Sequence, residues 1–381
     1  MLLLAGATIF AGVQSLTLQR PLYAKNSSKD FHGGHALSIQ QEKALFSVCN
    51  ASFSSLQTVC TSTLQGTSLN LTTPGVGREP TFDCSPHVHG KKVNFLAAAD
   101  GPHIDFLILY ATFALRSNAD SFVEIVVRDR EKFILDKAEA LSSILQAFGK
   151  ETVCVRNFLK TSLARTRVAN TWRYLEVPVV QALYTYIGDV DILLTESVLQ
   201  PERLKQMTKY ALPYSNIVRP GTNRLTGVML VRTKDFYTPE LLQAQAKLNA
   251  AGNDEKFLYQ LMLQSGIGVP PTVGDASLCE VTPSMNYICA DVTDELVLFR
   301  PVHGLHMSLN RGIGKTSCHG ASFAPMMCDV LSVFATEKAV CADDSSIRTL
   351  FAYFSSAADE IFSNASVSCR SWILWNTCTC S

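Results

Sequence analysis

Between residues 91 and 316 the chain alternates short apolar runs with longer stretches whose hydrophobic residues recur at helical spacing. Val93 to Ala99 reads as a strand that ends at Asp100, and Ile104 to Arg116 as an amphipathic helix. Phe122 to Val127 reads as a second strand, and Glu131 to Phe148 as a helix stopped by Gly149. Thr152 to Val155 reads as a third strand, Arg167 to Leu175 as helical, and Leu183 to Ile187 as a further strand. Strands of 4–8 residues separated by helices predict an α/β fold with a mostly parallel, Rossmann-like sheet and helices on both faces. In such sheets a ligand binds beyond the carboxyl ends of the strands.

The flanks lack this rhythm. Residues 1–15 begin with the apolar run Leu2 to Val13, which is too short for a bilayer span of about 20 residues. That run predicts a signal peptide, with a trimmed membrane anchor as the alternative. Residues 16–90 are rich in Ser, Thr, Gly and Asn and read as a stem. Residues 317–381 form an extension holding six of the chain's 12 cysteines, from Cys318 to Cys380. No C-x-x-C pair marks a metal hook, so disulfides in an oxidising lumen are the expectation, with connectivity left open. Four N-x-S/T triplets, at Asn26, Asn50, Asn70 and Asn364, lie only in these flanks. Together these features predict a Golgi, ER-lumenal or secreted glycoprotein. Asp83, His87 and His89 lie near Cys84, but their spacing fits no standard metal site and reads better as a polar loop.

Composition narrows the function. With 47% hydrophobic and 17% charged residues over 381 positions, the chain can bury a real core. Its formal net charge is zero, so no general basic field is present to hold a nucleic acid. The segment Gly312-Ile-Gly-Lys-Thr-Ser imitates the end of a P-loop, but Leu309 stands where that motif needs its first glycine.

The most informative segment is Tyr184-Thr-Tyr-Ile-Gly-Asp-Val-Asp-Ile-Leu-Leu-Thr. Asp189 and Asp191 are set in an apolar run, where an unpartnered carboxylate is costly. In extended chain, residues two apart point the same way, so both carboxylates would meet one hard divalent cation at a strand end.

This segment resembles the D-x-D region of GT-A glycosyltransferases, in particular the glycogenin-like family and its bacterial galactosyltransferase relatives. Further segments follow in the family's order. Asn94-Phe-Leu-Ala-Ala-Ala-Asp100 is similar to the first strand, whose end meets the nucleotide. Asn223-Arg-Leu-Thr-Gly-Val-Met-Leu-Val is similar to the strand after the metal motif, where Gly227 would let substrate approach the backbone. Asn253-Asp-Glu-Lys-Phe-Leu is similar to the Asp-Gln pair near the acceptor, with Glu255 in place of the Gln. Arg300-Pro-Val-His-Gly-Leu-His-Met-Ser is similar to the late histidine segment that completes the metal site, without its Lys-Pro-Trp ending. The resemblance covers about residues 93–315 and implies an EC 2.4-type hexosyl or related transferase using a nucleotide-sugar donor such as a UDP-sugar.

It also implies roles. Asp189, Asp191 and a histidine, His303 or His306, would hold Mn2+ or Mg2+, an imidazole favouring manganese-like ions. The cation would stabilise the departing diphosphate. Asp100 would meet the nucleotide, and Gly304, Arg300, Arg311 and Lys315 the phosphates, with Arg173 and Arg219 as weaker candidates of the same kind. Asp254 or Glu255 would orient or deprotonate the acceptor hydroxyl, although acids in a first helical turn are also favoured by the helix dipole alone. Tyr214 and Asn216 would line the acceptor side. The acceptor would be a glycan, glycoprotein or glycolipid. A non-catalytic carbohydrate-binding protein and a metal-dependent hydrolase of phosphate or sugar esters are the competing classes.

Overall fold

The computed structural model describes residues 82–86, 90–159, 169–219, 221–248, 253–272, 280–281, 287–290, 296–300, 304–307, 333 and 336–350. The N-terminal leader and its alternative as an anchor, all four sequons, and His87 and His89 lie outside them. Among the described residues, no helix is long and apolar enough to cross a membrane.

Six strands form the central sheet: β1 (Val93–Ala98), β2 (Ser121–Val127), β3 (Val153–Asn157), β4 (Tyr184–Ile187), β6 (Tyr214–Ser215) and β7 (Met229–Arg232), in the order β3-β2-β1-β4-β7-β6. The pairings β1 with β2, β1 with β4 and β2 with β3 are parallel. β7 pairs antiparallel with both β4 and β6, so it alone runs against the other five. The predicted α/β architecture with a mostly parallel sheet is the one observed.

Alternation along each strand builds two cores, because successive side chains point to opposite faces. Phe95 and Ala97 of β1, Val123 and Ile125 of β2 and Tyr186 of β4 pack on one face. That face is covered by α1 (Leu107–Ser117), α2 (Arg130–Asp136) and α3 (Ala138–Phe148). Leu96, Ala98, Val126 and Ile187 point the other way and meet α4 (Ala169–Leu175), α7 (Pro239–Lys247) and α8 (Asp254–Gln264). Two further helices, α5 (Pro201–Lys209) and α6 (Thr233–Phe236), flank β6 and β7. Nearly every strand residue is buried, as expected of a sheet covered on both faces.

A buried polar network links the strands. Glu124 on β2 is fully buried and accepts from Arg156 Nε at 2.6 Å, from Asn94 at 3.0 Å and from the amides of Val179 and Val180 at 3.0 Å each. Arg156 also pairs with buried Glu176. The network ties three strands to the segment that leaves α4, so it sets where α4 lies.

Three departures from the pattern have physical reasons. The helix expected over 131–148 is two helices, broken at Lys137. This residue is 8% exposed and turns its ammonium inward, 3.2 Å from Asp105 and 3.0 Å from Asp343. The helix expected at Ile104 begins as a 3-10 turn over Gly101–Phe106. The segment expected to be a separate stem reaches the sheet at 82–84: Phe82 is in the core, its carbonyl accepts from Val155 at 2.8 Å, and Cys84 is disulfide-bonded to Cys154.

Within the C-terminal extension, α9 (Lys338–Cys341) buries Ala339 and Val340, and Cys341 is disulfide-bonded.

Candidate functional site

The D-x-D segment occupies the turn between β4 and β5 (Ile192–Leu194). The amide of Ile192 donates to the carbonyl of Asp189 at 3.2 Å. This corrects the expectation of an extended chain: a period of two does not apply across a turn, so spacing alone does not aim both carboxylates at one point. The turn stands at the carboxyl end of β4, next to β1, at the mouth of the parallel strands.

Arg173 organises the site. It projects from α4, its side chain is 4% exposed, and it spans two carboxylates from distant parts of the chain. Its Nη1 lies 2.5 Å from Asp189 Oδ1 and 3.3 Å from the Gly188 carbonyl, and its Nη2 lies 3.0 Å from Asp254 Oδ2. Asp189 and Asp254 keep side-chain exposures of 26% and 20%, so the cluster is open to solvent on the carboxylate side. Burial opposes the charge on Arg173, but Asp189, Tyr174 and Asp254 outweigh it and hold the guanidinium above its ordinary range. The sequence suggests Arg173 as a phosphate ligand; in the structure it binds the site's own acids. Its signal was a cation in the apolar helix Trp172-Arg173-Tyr174, where burial demands an acidic partner.

Gly227 closes this cluster. A Cβ there would lie 2.9 Å from Arg173 Nη2 and 3.1 Å from Asp189 Oδ2. The Tyr174 hydroxyl donates to the Gly227 carbonyl at 3.0 Å. The space that glycine leaves is therefore filled by the ion pair rather than kept open for substrate.

The neighbouring acid has a different partner. Glu255 pairs with Arg219 and lies 3.9 Å from Arg224, both on the 218–225 hairpin. Asn253 caps α8, accepting from the amide of Lys256 at 3.0 Å. The cap and the helix start thus send Asp254 toward Arg173 and Glu255 toward the hairpin.

Asp100 follows β1 and is gripped by Arg128 at 2.5 and 2.8 Å. The Arg128 guanidinium lies 5.2 Å from the Trp172 ring centre, and Trp172 stacks on Phe158. Nothing in the local pattern around Arg128 pointed to this role.

Tyr214 and Asn216 are core residues, which corrects the acceptor-side expectation. Tyr214 is buried and donates to the Gly268 carbonyl at 2.9 Å. Asn216 is 1% exposed; its Oδ1 accepts from the amides of Ile217 and Thr226 and from the Thr226 hydroxyl, and its Nδ2 donates to the Thr226 carbonyl. Side chains so committed pin the hairpin and have nothing left for a ligand.

The late segment reaches the D-x-D turn through backbone pairing. β11 (Gly304–His306) runs antiparallel to β5 and places His306 opposite Ile192, the residue after Asp191. The Met307 amide donates to the Asp191 carbonyl at 2.7 Å. Gly304 is required here, since a Cβ would fall 1.8 Å from the Leu193 carbonyl oxygen. Its missing side chain serves strand pairing, not phosphate approach. Arg300 lies on β10 (Leu296–Arg300), opposite Tyr287 of β9 (Tyr287–Ala290), which pairs on its other side with β8 (Glu280–Val281). His303, Arg311, Lys315 and the P-loop look-alike lie outside the described residues.

Among the described residues, no group of three or more His, Cys, Asp or Glu gathers closely enough to hold a metal. What is present fits an oxygen-ligated divalent ion in part. Asp189 is accessible, Asp191 is two residues on, and β11 brings the histidine segment alongside.

No protein-family model matches the sequence, and no curated protein matches it. Solved structures overlap it in part, two glycosyltransferases among them. One is the apo form of the glycosyltransferase GlyE from Streptococcus pneumoniae TIGR4, 16% identical, with a TM-score of 0.32 over 45% of this chain. The match spans 43% of the GlyE chain. The other is the mannosyltransferase PcManGT from Pyrobaculum calidifontis, in complex with GDP-Man and Mn2+. It is 11% identical, with a TM-score of 0.28 over 83% of this chain and 87% of its own. Overlaps of this size carry no argument about activity, so function has to be read from the geometry of the site.

Proposed function

We propose that this chain is a metal-dependent glycosyltransferase of GT-A type, transferring a sugar from a nucleotide-sugar donor to a glycan, protein or lipid hydroxyl. One observation carries the proposal. Arg173 gathers Asp189 and Asp254, separated by 65 positions, at a solvent-open point beyond the carboxyl ends of a parallel sheet.

Asp189 and Asp191, with a histidine from His303 or His306, would hold Mn2+ or Mg2+. Bound there, the ion supplies positive charge for the diphosphate that leaves the sugar. Taking Asp189 as a ligand means sharing or displacing Arg173. Asp254 is then the acid placed to orient the acceptor hydroxyl or accept its proton. Arg300, Arg311 and Lys315 are proposed for the phosphates, and Asp100, steadied by Arg128, for the nucleotide.

We also place the protein in the secretory pathway. The Cys84–Cys154 disulfide supports this, together with the apolar leader and the flanking sequons.

The test is a thermal-shift screen of nucleotide sugars with and without Mn2+, followed by transfer assays. Stabilisation by a UDP- or GDP-sugar only when Mn2+ is present is the expected result, because a ligand of the native state raises stability by mass action. Free sugar released at the same rate without acceptor would make the protein a hydrolase. Donor binding with neither transfer nor hydrolysis would make it a carbohydrate-binding protein.

A further inference from the structure

Arg203, on α5, is fully buried, and among the described residues its guanidinium makes no hydrogen bond of ordinary geometry; the side chain that acts on it is that of Tyr186. A buried charge without a counter-charge is destabilising by several kcal/mol in a low-dielectric interior. Replacing such a group by a hydrophobe of similar volume is commonly neutral or stabilising. Among the described residues no counter-charge explains an arginine here, which directs attention to what it touches.

It touches the ring of Tyr186, with the guanidinium carbon 5.3 Å from the ring centre. A desolvated cation over an aromatic face returns about 2 kcal/mol, which offsets only part of the burial. Tyr186 lies on β4 and is itself fully buried, and Phe95 also contacts its ring, at 5.3 Å between centres. The ring lies directly under the D-x-D turn. A Cβ on Gly188 would come 2.8 Å from Tyr186 Cε1 and 3.3 Å from its Cζ and Oη. The Gly188 carbonyl accepts from Arg173, and the next residue is Asp189. Arg203, Tyr186, Gly188 and Asp189 thus form one continuous contact path.

We infer that Arg203 is a positioning residue: it seats the Tyr186 ring beneath Gly188 and so sets the orientation of the turn that presents Asp189. Its connection with metal affinity rests on the proposed function, in which Asp189 is a ligand; the positioning itself does not. The charge matters because the cation fixes one face of the ring in a way an apolar side chain does not. Groups that orient metal ligands from behind typically change affinity 10–100-fold when removed.

The experiment compares wild type with Arg203→Met, Arg203→Lys and Tyr186→Phe in the full chain. Three quantities are measured: the melting temperature, amide exchange at residues 188–191, and Mn2+ binding by titration, alone and with UDP or GDP. In Arg203→Met the melting temperature should hold or rise, exchange in the turn should quicken about tenfold, and Mn2+ binding should weaken about tenfold. Arg203→Lys and Tyr186→Phe, which keep a cation and a ring, should stay within about threefold of wild type. Wild-type exchange in the turn of Arg203→Met would overturn the inference. So would a lower melting temperature with faster exchange throughout the sheet, which would mark Arg203 as merely structural. If wild type bound no Mn2+ under any condition while the turn still loosened in Arg203→Met, the metal reading would fail and the positioning inference would stand.

Discussion

Two acidic clusters sit on the same sheet and are built on opposite plans. Around Glu124 the carboxylate is fully enclosed and meets Arg156, Asn94 and two backbone amides, while Arg156 also holds Glu176. Around Asp189, one arginine serves two carboxylates that remain about a quarter and a fifth exposed. In the first cluster the carboxylate and the guanidinium are committed to each other and to their neighbours inside the core. The second is held in shape from behind while its acids face outward. Buried charge therefore reports structure or function according to whether its partners are complete, not according to how many acids are present.

The comparison is broken most severely at Glu124. Glu124→Gln leaves Arg156 paired with Glu176, but it puts an NH2 where one carboxylate oxygen accepts from Asn94 and from the Val180 amide. Buried donors that lose their acceptor cost about 1–3 kcal/mol each, so the unfolding free energy should fall by about 3–5 kcal/mol, measured by urea denaturation. A change below about 1 kcal/mol would show that water reaches this network, and the contrast with Asp189 would be lost.

Gly304→Ala should come next. The clash at 1.8 Å is with backbone, which cannot rotate away as a side chain would. Either β11 leaves β5 or both shift, at a cost of about 1–3 kcal/mol. Because β11 follows the histidine segment, Mn2+ binding should fall in the same variant by more than the stability loss explains. Stability and binding both at wild-type values would show that β11 does not lie where the pairing puts it.

The sheet was legible in the sequence because its period is unambiguous. Apolar runs of four to seven residues, each ended by a polar residue or glycine, can hardly form anything else when helices separate them. Asp189 was legible because a carboxylate in such a run needs a reason. The geometry of the turn was not, since a period of two holds only while the chain stays extended. The acidic partners of Arg173 and Arg128 were hard to find because an ion pair between residues 16 or 28 positions apart leaves no local pattern. Tyr214 and Asn216 misled for the converse reason: side chains that bind ligands and side chains that tie a hairpin together have the same polar chemistry. Only burial and the list of bonds already made distinguish them.

Asp189→Asn sharpens the comparison from the open side. The amide keeps the shape and can still accept from Arg173, and the group is partly solvated, so stability should change by less than about 1 kcal/mol. Nucleotide-sugar binding in Mn2+ should nevertheless weaken by about 100-fold or more, because a neutral oxygen is a poor ligand for a hard cation. Unchanged Mn2+-dependent donor binding would remove Asp189 from the metal site.

The smallest effect is expected at the residue beside Asp254. The sequence offers Asp254 and Glu255 as equals, two acids at the start of one helix. Their surroundings separate them. Asp254 shares Arg173 with Asp189, so its carboxylate belongs to the open cluster, whereas Glu255 lies between Arg219 and Arg224 on the hairpin. A carboxylate turned toward the two guanidinium groups of the hairpin is directed away from the open cluster. Glu255→Gln should therefore leave transfer within about threefold of wild type and cost less than about 1 kcal/mol, as expected for a partly solvated pair. Asp254→Asn should lower kcat by about 100-fold or more at nearly unchanged donor affinity, the signature of a lost general base. Steady-state kinetics with a saturating donor separate the two. A larger loss of kcat in Glu255→Gln than in Asp254→Asn would transfer the catalytic assignment to Glu255 and leave the Arg173 bridge as scaffolding, like Arg156.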